Sequence, residues 1–273
     1  MNITKLYSYK SPRQIWRILI SDSGKLILET RDPNTKEVFF HCFEIETGKN
    51  FFSDLQLDEK YWLGIEAVYK EIIFFHKIPK PDLPGHKEII AYDLSTQKVL
   101  WENKELSFLF IYNDRIYGFK QGFEERYFSA LDFMNGELVE EFGDDFKTIN
   151  TLRHKAESEK DWSVYIYPKI FTNAESNLRI CEAIRKQTKN LDIEGKVEYN
   201  FYGNLLLFNY HTKIFEGSFE NRFFAVDLDK GKIVLSEVLN AKSASLFTDS
   251  FFVYRNFLFL LREKNEVIVY GID

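Results

Sequence analysis

Glu66 and Glu198 are the two residues of this sequence whose type and placement best fit catalysis. Each lies in a run of strand-forming residues that is expected to be the first strand of a sheet. Two carboxylates that converge from different sheets can serve as general acid and as nucleophile or base, which is how glycosidases cleave a glycosidic bond. They are therefore the candidate catalytic pair, while solvated groups or ion pairs with Arg17 are the simpler interpretation.

A second candidate is an arginine that lies between carboxylates. Glu29 and Arg31 alternate onto the same face of an expected strand, and Asp32 follows at the turn. Such an arginine usually belongs to a structural ion pair, and its functional role would be to hold an anion or a carboxylate. Arg17 and Trp62, on the expected first strands of two sheets, complete this group of ligand-binding candidates.

Two histidines flank a loop that contains Pro79, Pro81 and Pro84. Such a loop is stiff and presents a binding surface at low entropic cost, so His76 and His86 are ligand-binding candidates. They can meet as cross-strand neighbours, but no third metal ligand is evident in the sequence. Ordinary strand or surface histidines are the simpler interpretation, and no metal site is predicted.

Four copies of a short turn divide the chain into the elements that must position these residues. In each copy an apolar–acidic–apolar triplet precedes a residue pair that suits positive backbone angles, and another strand follows. The copies are Phe43–Lys49, Tyr92–Lys98, Leu131–Glu137 and Val226–Lys232. The triplet indicates the end of a half-buried strand, and the turn reverses the chain into an antiparallel strand. Repetition at intervals of a few tens of residues is typical of a β-propeller.

The pattern predicts an all-β chain, a β-propeller that forms a single domain over residues 1–273, with five blades favoured and six possible. The sheets are expected over 14–57, 61–105, 107–142, 196–238 and 244–271. The free strand Ile3–Tyr9 is expected to complete the last sheet, because joining the first and last strands removes an exposed edge.

Residues 144–194 break the pattern and are predicted to be an inserted helical segment. Thr172 and Glu175 form a Ser/Thr-x-x-Glu capping box, and apolar residues at helical spacing follow. A helix over 173–189 is expected to dock through Ile180, Ala183 and Ile184. Six blades would result if the segment folded as a full sheet instead.

Composition narrows the possible partners. Lys and Arg number 36 against 42 Asp and Glu, a net charge of −6, and no basic stripe interleaved with aromatics is present, so nucleic acid is not an expected partner. Cys42 and Cys181 lack metal or disulfide spacing and are expected to be reduced, buried thiols. The N-terminal residues lack a signal-peptide pattern, and no stretch is long enough for a membrane span, so a cytoplasmic location without a membrane partner is expected.

The strand–turn–strand copies resemble the blades of quinoprotein-like (PQQ-type) propellers, with Ala91–Glu102 the most similar, including the tryptophan at position 101. The resemblance covers the blades and no cofactor site, so no cofactor is predicted and a quinone-dependent dehydrogenase is disfavoured. The chain as a whole resembles an uncharacterised bacterial family of about this length, through Ile15–Arg17, Glu29–Asp32 and Val197–Tyr199. That family resemblance implies no known activity.

Phosphate-binding loops, nucleophile elbows and His-Glu-x-x-His motifs are absent from the sequence. The predicted function is therefore a non-enzymatic cytoplasmic propeller that binds a partner protein or a small ligand through its loop-bearing face. The alternative is a carbohydrate-active hydrolase that uses Glu66 and Glu198.

Overall fold

The computed structural model describes residues 1–79, 85–172, 175 and 177–273. The chain forms two compact units: residues 13–161 make the first unit, and residues 1–12 together with 162–273 make the second. Both units consist mainly of antiparallel sheets, so the prediction of an all-β chain is confirmed. A single domain over 1–273 stays a prediction.

Strand β1 (Ile3–Lys10) opens the chain and belongs to the second unit, and the first unit holds three four-stranded sheets. The first sheet contains β2 (Gln14–Ile20), β3 (Lys25–Arg31), β4 (Val38–Glu44) and β5 (Asn50–Leu55). The second sheet contains β6 (Leu63–Tyr69), β7 (Ile72–Lys77), β8 (Lys87–Asp93) and β9 (Lys98–Asn103). The third sheet contains β10 (Ser107–Tyr112), β11 (Arg115–Gln121), β12 (Arg126–Asp132) and β13 (Leu138–Gly143). These three sheets match the predicted spans 14–57, 61–105 and 107–142.

The core of the first unit lies between its sheets. The first and second sheets share one apolar cluster, in which the Phe40 and Phe75 rings meet edge to face at 4.7 Å, and the second and third sheets share another. Inner strands such as β3 and β7 are buried at consecutive positions because neighbours cover both faces of the sheet, whereas the edge strand β9 is largely exposed.

The second unit holds two five-stranded sheets. Two short strands, β14 (Tyr165–Ile166) and β15 (Lys169–Ile170), come first in the chain. The fourth sheet joins β15 to β16 (Ile193–Tyr202), β17 (Leu205–Phe215), β18 (Ser218–Asp227) and β19 (Lys232–Ser243). The fifth sheet joins β14 to β20 (Phe251–Tyr254), β21 (Phe257–Arg262), β22 (Glu266–Ile272) and β1.

The fifth sheet departs from the prediction at its first strand. The sequence predicts this strand from residue 244, but β20 begins at Phe251. The Ser243 hydroxyl accepts a hydrogen bond from the Ser245 backbone N–H at 3.1 Å, and Asp249 has a φ of 54°. Local side-chain bonding and a left-handed residue thus hold this segment outside the sheet.

Strand β1 pairs with β22, as the sequence predicts. The register runs antiparallel from Ile3 opposite Ile272 to Lys10 opposite Glu266. The backbone N–H groups of Asn2 and Asp273 donate to each other's carbonyls at 3.0 Å, which extends the pairing by one residue pair. The N-terminal strand therefore covers an edge that β22 would otherwise expose.

The segment 144–194 contains two helices. Helix α1 (Phe146–Ser158) starts after Asp145, whose carboxylate accepts a hydrogen bond from the Thr148 N–H, and it packs on the third sheet through Ile149 and Ala156. The sequence pattern did not single out this helix. Strands β14 and β15 each join an existing sheet, so the segment forms no sixth sheet within its described residues, and five sheets are supported.

Helix α2 (Leu178–Thr188) lies within the predicted range 173–189 but begins later. Asn177 caps the helix, because its side-chain oxygen accepts hydrogen bonds from the backbone N–H groups of Arg179 and Ile180. Residues 173, 174 and 176 lie outside the described residues. Ile180 and Ile184 are buried against the fourth sheet, so the predicted docking is confirmed. Among the described helices, none is long and apolar enough to cross a membrane.

The repeated turn forms in all four copies. The residue four positions after the acidic one donates its N–H to the acidic residue's carbonyl at 2.8–2.9 Å and has a positive φ. The donor and acceptor pairs are Gly48 and Glu44, Gln97 and Asp93, Gly136 and Asp132, and Gly231 and Asp227. In the three aspartate copies the carboxylate also accepts turn N–H groups. The acidic residues of the repeat therefore build turns, which explains why they recur.

We expect deletion of residues 1–10 to lower the melting temperature by several degrees or more. The deletion removes β1 and exposes the edge of β22, so apolar contacts and the edge pairing are lost together. Circular dichroism or differential scanning calorimetry measures the change. An unchanged melting curve would show that β1 contributes little to the fifth sheet.

Replacement of Ile184 by aspartate should strongly destabilise the fold. A buried Ile→Ala change typically costs about 2–5 kcal/mol, and an unpaired buried charge adds to that cost. Leu178→Asp is the matched control, because Leu178 is on the same helix but 74% exposed. Denaturant unfolding should separate the two variants, and equal stability of both would contradict docking of α2.

Candidate functional site

The candidate site is centred on Glu66 in β6. In the pairing of β6 with β7, Ile65 lies opposite Phe75 and Ala67 lies opposite Phe74, so Glu66 is the extra residue of a β-bulge. A bulge interrupts the ladder locally and changes the direction of a side chain. This irregularity aims the Glu66 carboxylate at the end of the β7–β8 hairpin.

A second irregularity brings the two histidines to one face. In the pairing of β7 with β8, Phe75 lies opposite Ile90 but Lys77 lies opposite Lys87, so β8 carries one additional residue. Glu88, with a φ of 60°, lies in this interval. One extra residue in a strand reverses the face to which the residues beyond it point. The side chain of His86, which lies beyond this bulge from Ile90, is therefore on the same face as that of His76.

Glu66, His76 and His86 form a compact cluster. Glu66 Oε1 lies 2.5 Å from His86 Nδ1 and 3.2 Å from His76 Nδ1, and the two imidazole rings stack with centroids 3.6 Å apart. The His76 side chain is 3% exposed, that of Glu66 12% and that of His86 43%, so the cluster runs from the interior to the surface. His76 Nδ1 is buried and makes no hydrogen bond.

Gly64 allows the His76 ring to lie against the backbone of β6. A Cβ atom at this position would lie 2.8 Å from His76 Cε1 and 2.9 Å from Nε2, closer than side chains tolerate. The register places Gly64 directly opposite His76. The missing side chain thus makes the space that the buried imidazole occupies.

A buried ion pair links β6 to the first sheet. The Glu29 carboxylate is fully buried and accepts a hydrogen bond from Arg31 Nε at 2.8 Å and one from the Ile65 backbone N–H at 3.3 Å. Arg31 in turn donates to the Leu63 carbonyl at 3.2 Å, and Arg17 donates to the Ile65 carbonyl. Charged groups from β2 and β3 therefore fix the backbone on both sides of Gly64.

The sequence candidates of the first unit converge on β6. Glu29, Arg31 and Arg17 bind its backbone, while His76 and His86 contact Glu66. Trp62 is half-buried just before the strand, and its backbone N–H donates to Glu59. The sequence alone makes no third metal ligand evident beside the histidines, and the structure places a carboxylate oxygen of Glu66 next to both of them.

Glu198 lies in the second unit, on β16, and its setting differs from that of Glu66. It is 7% exposed, Oε1 accepts a hydrogen bond from the Asp249 N–H at 3.1 Å, and Oε2 has no hydrogen-bond partner. Asn209 lies directly opposite on β17, and its Oδ1 is also unpartnered. Two acceptor oxygens therefore lie buried on neighbouring residues.

The pKa values of Glu66 and Glu198 are shifted in opposite directions. Burial acts to raise the pKa of Glu66, but the adjacent His76 and His86 outweigh it and hold the pKa below its ordinary value. Burial raises the pKa of Glu198, with a further contribution from the nearby Asp249 carboxylate. The two histidines thus favour the charged form of Glu66, whereas burial disfavours the charged form of Glu198.

The remaining histidines serve the fold. His41 Nδ1 accepts the Asp54 N–H at 3.2 Å, and His211 Nε2 accepts the Phe247 N–H at 3.1 Å. Burial lowers the pKa of both, that of His41 to about 4, so they are neutral near pH 7. His154 is exposed on α1. Both cysteines are free and buried, and burial raises the pKa of Cys42 to about 12.

One comparison with protein families gave a match. The family described as Domain of unknown function (DUF4905) matches residues 20–101, which is less than half of the chain. This range includes β3 to β8 and all three members of the cluster. Residues 20–101 are therefore similar to an uncharacterised domain family. No match was found among curated proteins.

Two solved structures illustrate the similarity of the whole chain. A structure of Hsv2 from Kluyveromyces lactis, with its loop 6CD complete, is 12% identical, with 91% of this chain and 70% of that chain covered and a TM-score of 0.30. The propeller of Dos1 is 10% identical, with 94% of this chain covered and a TM-score of 0.31. This chain spans 55% of the Dos1 structure. At these TM-scores neither similarity supports a conclusion about arrangement or function.

We expect Glu198→Gln to stabilise the protein at about pH 8 and to lose this advantage near pH 4. Because the pKa of Glu198 is raised on folding, the free energy of unfolding falls as pH rises from the unfolded value of 4.5 through the folded one. A glutamine avoids the buried charge and supplies a donor for Asn209.

Urea unfolding between pH 4 and pH 8 measures the effect. Glu182→Gln is the control, since Glu182 is an exposed carboxylate in the same unit. A Glu198→Gln protein that is less stable than the unmodified protein at pH 8 would contradict the proposed setting of this carboxyl group.

Proposed function

We propose that this chain is a non-enzymatic cytoplasmic β-propeller that binds a small ligand or a partner protein at the face which carries the Glu66–His76–His86 cluster. Five antiparallel sheets, the repeated turn and the β1–β22 pairing support the propeller organisation. The resemblance to PQQ-type blades agrees with it, without a quinone cofactor. Nucleic acid and membranes are not proposed as partners, in view of the net charge of −6 and the absence of a basic stripe in the sequence.

The observation that carries this proposal is the division of roles among the converging residues. Glu29, Arg31 and Arg17 are occupied by one another and by the β6 backbone, so they position the site rather than bind a ligand. The cluster on the other side of β6 directs two imidazole nitrogens at one carboxylate oxygen and reaches the surface at His86. A compact polar cluster with an exposed edge is the arrangement expected of a binding site.

The charges of the cluster define the kind of ligand. The pKa of Glu66 is held below its ordinary value, so its carboxylate remains negative at neutral pH, and a ring nitrogen that carries no proton can offer a lone pair. The cluster therefore suits an electropositive ligand, such as an amine or a metal ion. An anion clamp at Arg31 is not part of this proposal, because that guanidinium already pairs with Glu29.

One observation favours the alternative, a carbohydrate-active hydrolase. A glycosidase with two catalytic carboxyl groups uses one as a proton donor and the other as a carboxylate, and the pKa values of Glu198 and Glu66 are shifted in opposite directions. In such an enzyme Glu198 would be the acid and Glu66 the base or nucleophile. This role requires the two groups to face one substrate, which makes it the second candidate.

A thermal-shift screen of the full chain, without an affinity tag, tests the proposal. The panel contains amines, amino acids, peptides, nucleotides, sugars and divalent metal ions. At least one class should raise the melting temperature of the unmodified protein but not that of Glu66→Gln or His86→Ala, because a ligand that binds only the folded state stabilises it.

Controls with exposed residues of the first unit, Glu46→Gln and His154→Ala, should respond like the unmodified protein. A panel of chromogenic glycosides run in parallel addresses the alternative. Hydrolysis that is lost in both Glu66→Gln and Glu198→Gln would replace the binding proposal with the enzyme.

A further inference from the structure

The geometry points to a specific ligand for this cluster: we propose that Glu66, His76 and His86 bind one divalent first-row transition-metal ion, with Zn²⁺ as the representative. The inference rests on the proposed function, because it names the ligand of the same site. Among the residues that the structure describes, these three form the one group of at least three His, Cys, Asp or Glu side chains close enough to share a metal ion.

The types of ligand atom select the class of metal. Two imidazole nitrogens and one carboxylate oxygen are borderline ligands that suit Zn²⁺ and its neighbours, whereas Mg²⁺ and Ca²⁺ prefer oxygen alone. Three protein ligands leave at least one coordination position of a tetrahedral ion open. The ion would therefore keep a water molecule or accept a ligand atom from a partner.

The distances between ligand atoms are near those of a filled site. One ligand atom from each of the three side chains lies within 4.8 Å of the others. Metal–nitrogen bonds of about 2.0–2.1 Å at tetrahedral angles place ligand atoms about 3.3 Å apart. Glu66 Oε1 and His76 Nδ1, at 3.2 Å, already match this spacing, and Glu66 Oε1 and His86 Nδ1, at 2.5 Å, must move slightly apart.

His76 provides a second and independent indication of a ligand. It is 2% exposed, and its Nδ1 makes no hydrogen bond of good geometry, although Glu66 Oε1 lies 3.2 Å away. A buried polar atom without a well-formed hydrogen bond is costly, and a missing ion is one of the recognised explanations. The buried His41 and His211, in contrast, each accept a backbone N–H with a ring nitrogen.

The stacked rings require one adjustment before both can face the same ion. The His76 and His86 ring planes are 8° from parallel, so their lone pairs do not converge. The His76 ring packs tightly against the backbone of β6 at Gly64, where a Cβ atom would lie only 2.8 Å from the ring. His86, at 43% exposure and outside β8, has the freedom to rotate, so metal binding should move His86 and leave His76 in place.

The test is a calorimetric titration of the full, tag-free chain with ZnCl₂ after removal of metal by a chelator. We expect one equivalent to bind, a rise in melting temperature on binding, and no comparable response to Mg²⁺ or Ca²⁺. Loss of outer-shell partners costs about 10–100-fold in metal affinity, so His86→Ala and Glu66→Gln should each weaken binding at least tenfold. Titration with Co²⁺ should give visible absorption bands of a nitrogen- and oxygen-bound ion, which the same substitutions remove.

His86→Ala is the most informative variant, since an exposed side chain can be removed without loss of the fold, and circular dichroism confirms the fold of each variant. His154→Ala removes an exposed histidine of the same unit and should bind Zn²⁺ as the unmodified protein does. Absence of Zn²⁺ binding in the folded protein, or binding that His86→Ala and Glu66→Gln leave unchanged, would overturn the metal site.

The outcome also separates this inference from the proposed function. Suppose that an organic ligand requires Glu66 and His86 for binding, whereas Zn²⁺ binding does not depend on these residues. This result would support the binding function and reject the metal site. If neither a metal ion nor any other ligand binds at the cluster, both the metal site and the proposed binding function are rejected.

Discussion

The Glu29 carboxylate is the group on which the geometry of the candidate site depends. A fully buried charge is tolerated only when it is paired and hydrogen-bonded, and Glu29 meets this condition through Arg31 and the Ile65 N–H. Because Ile65 belongs to a different sheet, satisfying one charge on β3 also fixes the position of β6. Arg31 repeats the constraint at the Leu63 carbonyl. The hydrogen bonds of one buried carboxylate thus fix the position of β6 relative to β3, and this in turn fixes the position of Glu66.

The sequence predicts the sheets well because their signals are local. The repeated acidic turn, the alternation of apolar residues and the free N-terminal strand each follow from short-range chemistry, and the turns and the β1–β22 pairing confirm it. Helix α1 carried a signal that could have been used, since Asp145 and Thr148 form a cap and Ile149, Leu152 and Ala156 follow at helical spacing. The capping box predicted at Thr172 and Glu175 is not the cap of α2, because Asn177 caps that helix.

The composition of the site could be predicted only in part. Glu66, His76 and His86 are each recognisable as residues capable of chemistry. Their proximity, however, depends on two β-bulges that the local sequence does not predict. A residue such as Glu88 at a φ of 60° gives no sign of it in the sequence, because glutamate rarely adopts this conformation. Without that extra residue, the alternation of β8 would place His86 on the opposite face. Tertiary packing rather than local propensity therefore assembles the cluster.

Glu66 and Glu198 show why residue type and strand position do not define a role. Both lie near the start of a sheet and both are largely buried, yet their neighbours differ. Imidazoles adjoin Glu66 and favour its charge, whereas burial, with a further contribution from the carboxylate of Asp249, opposes the charge of Glu198. The pKa of the same type of side chain is thus lowered at one position and raised at the other, and the difference arises from the surroundings of each carboxyl group.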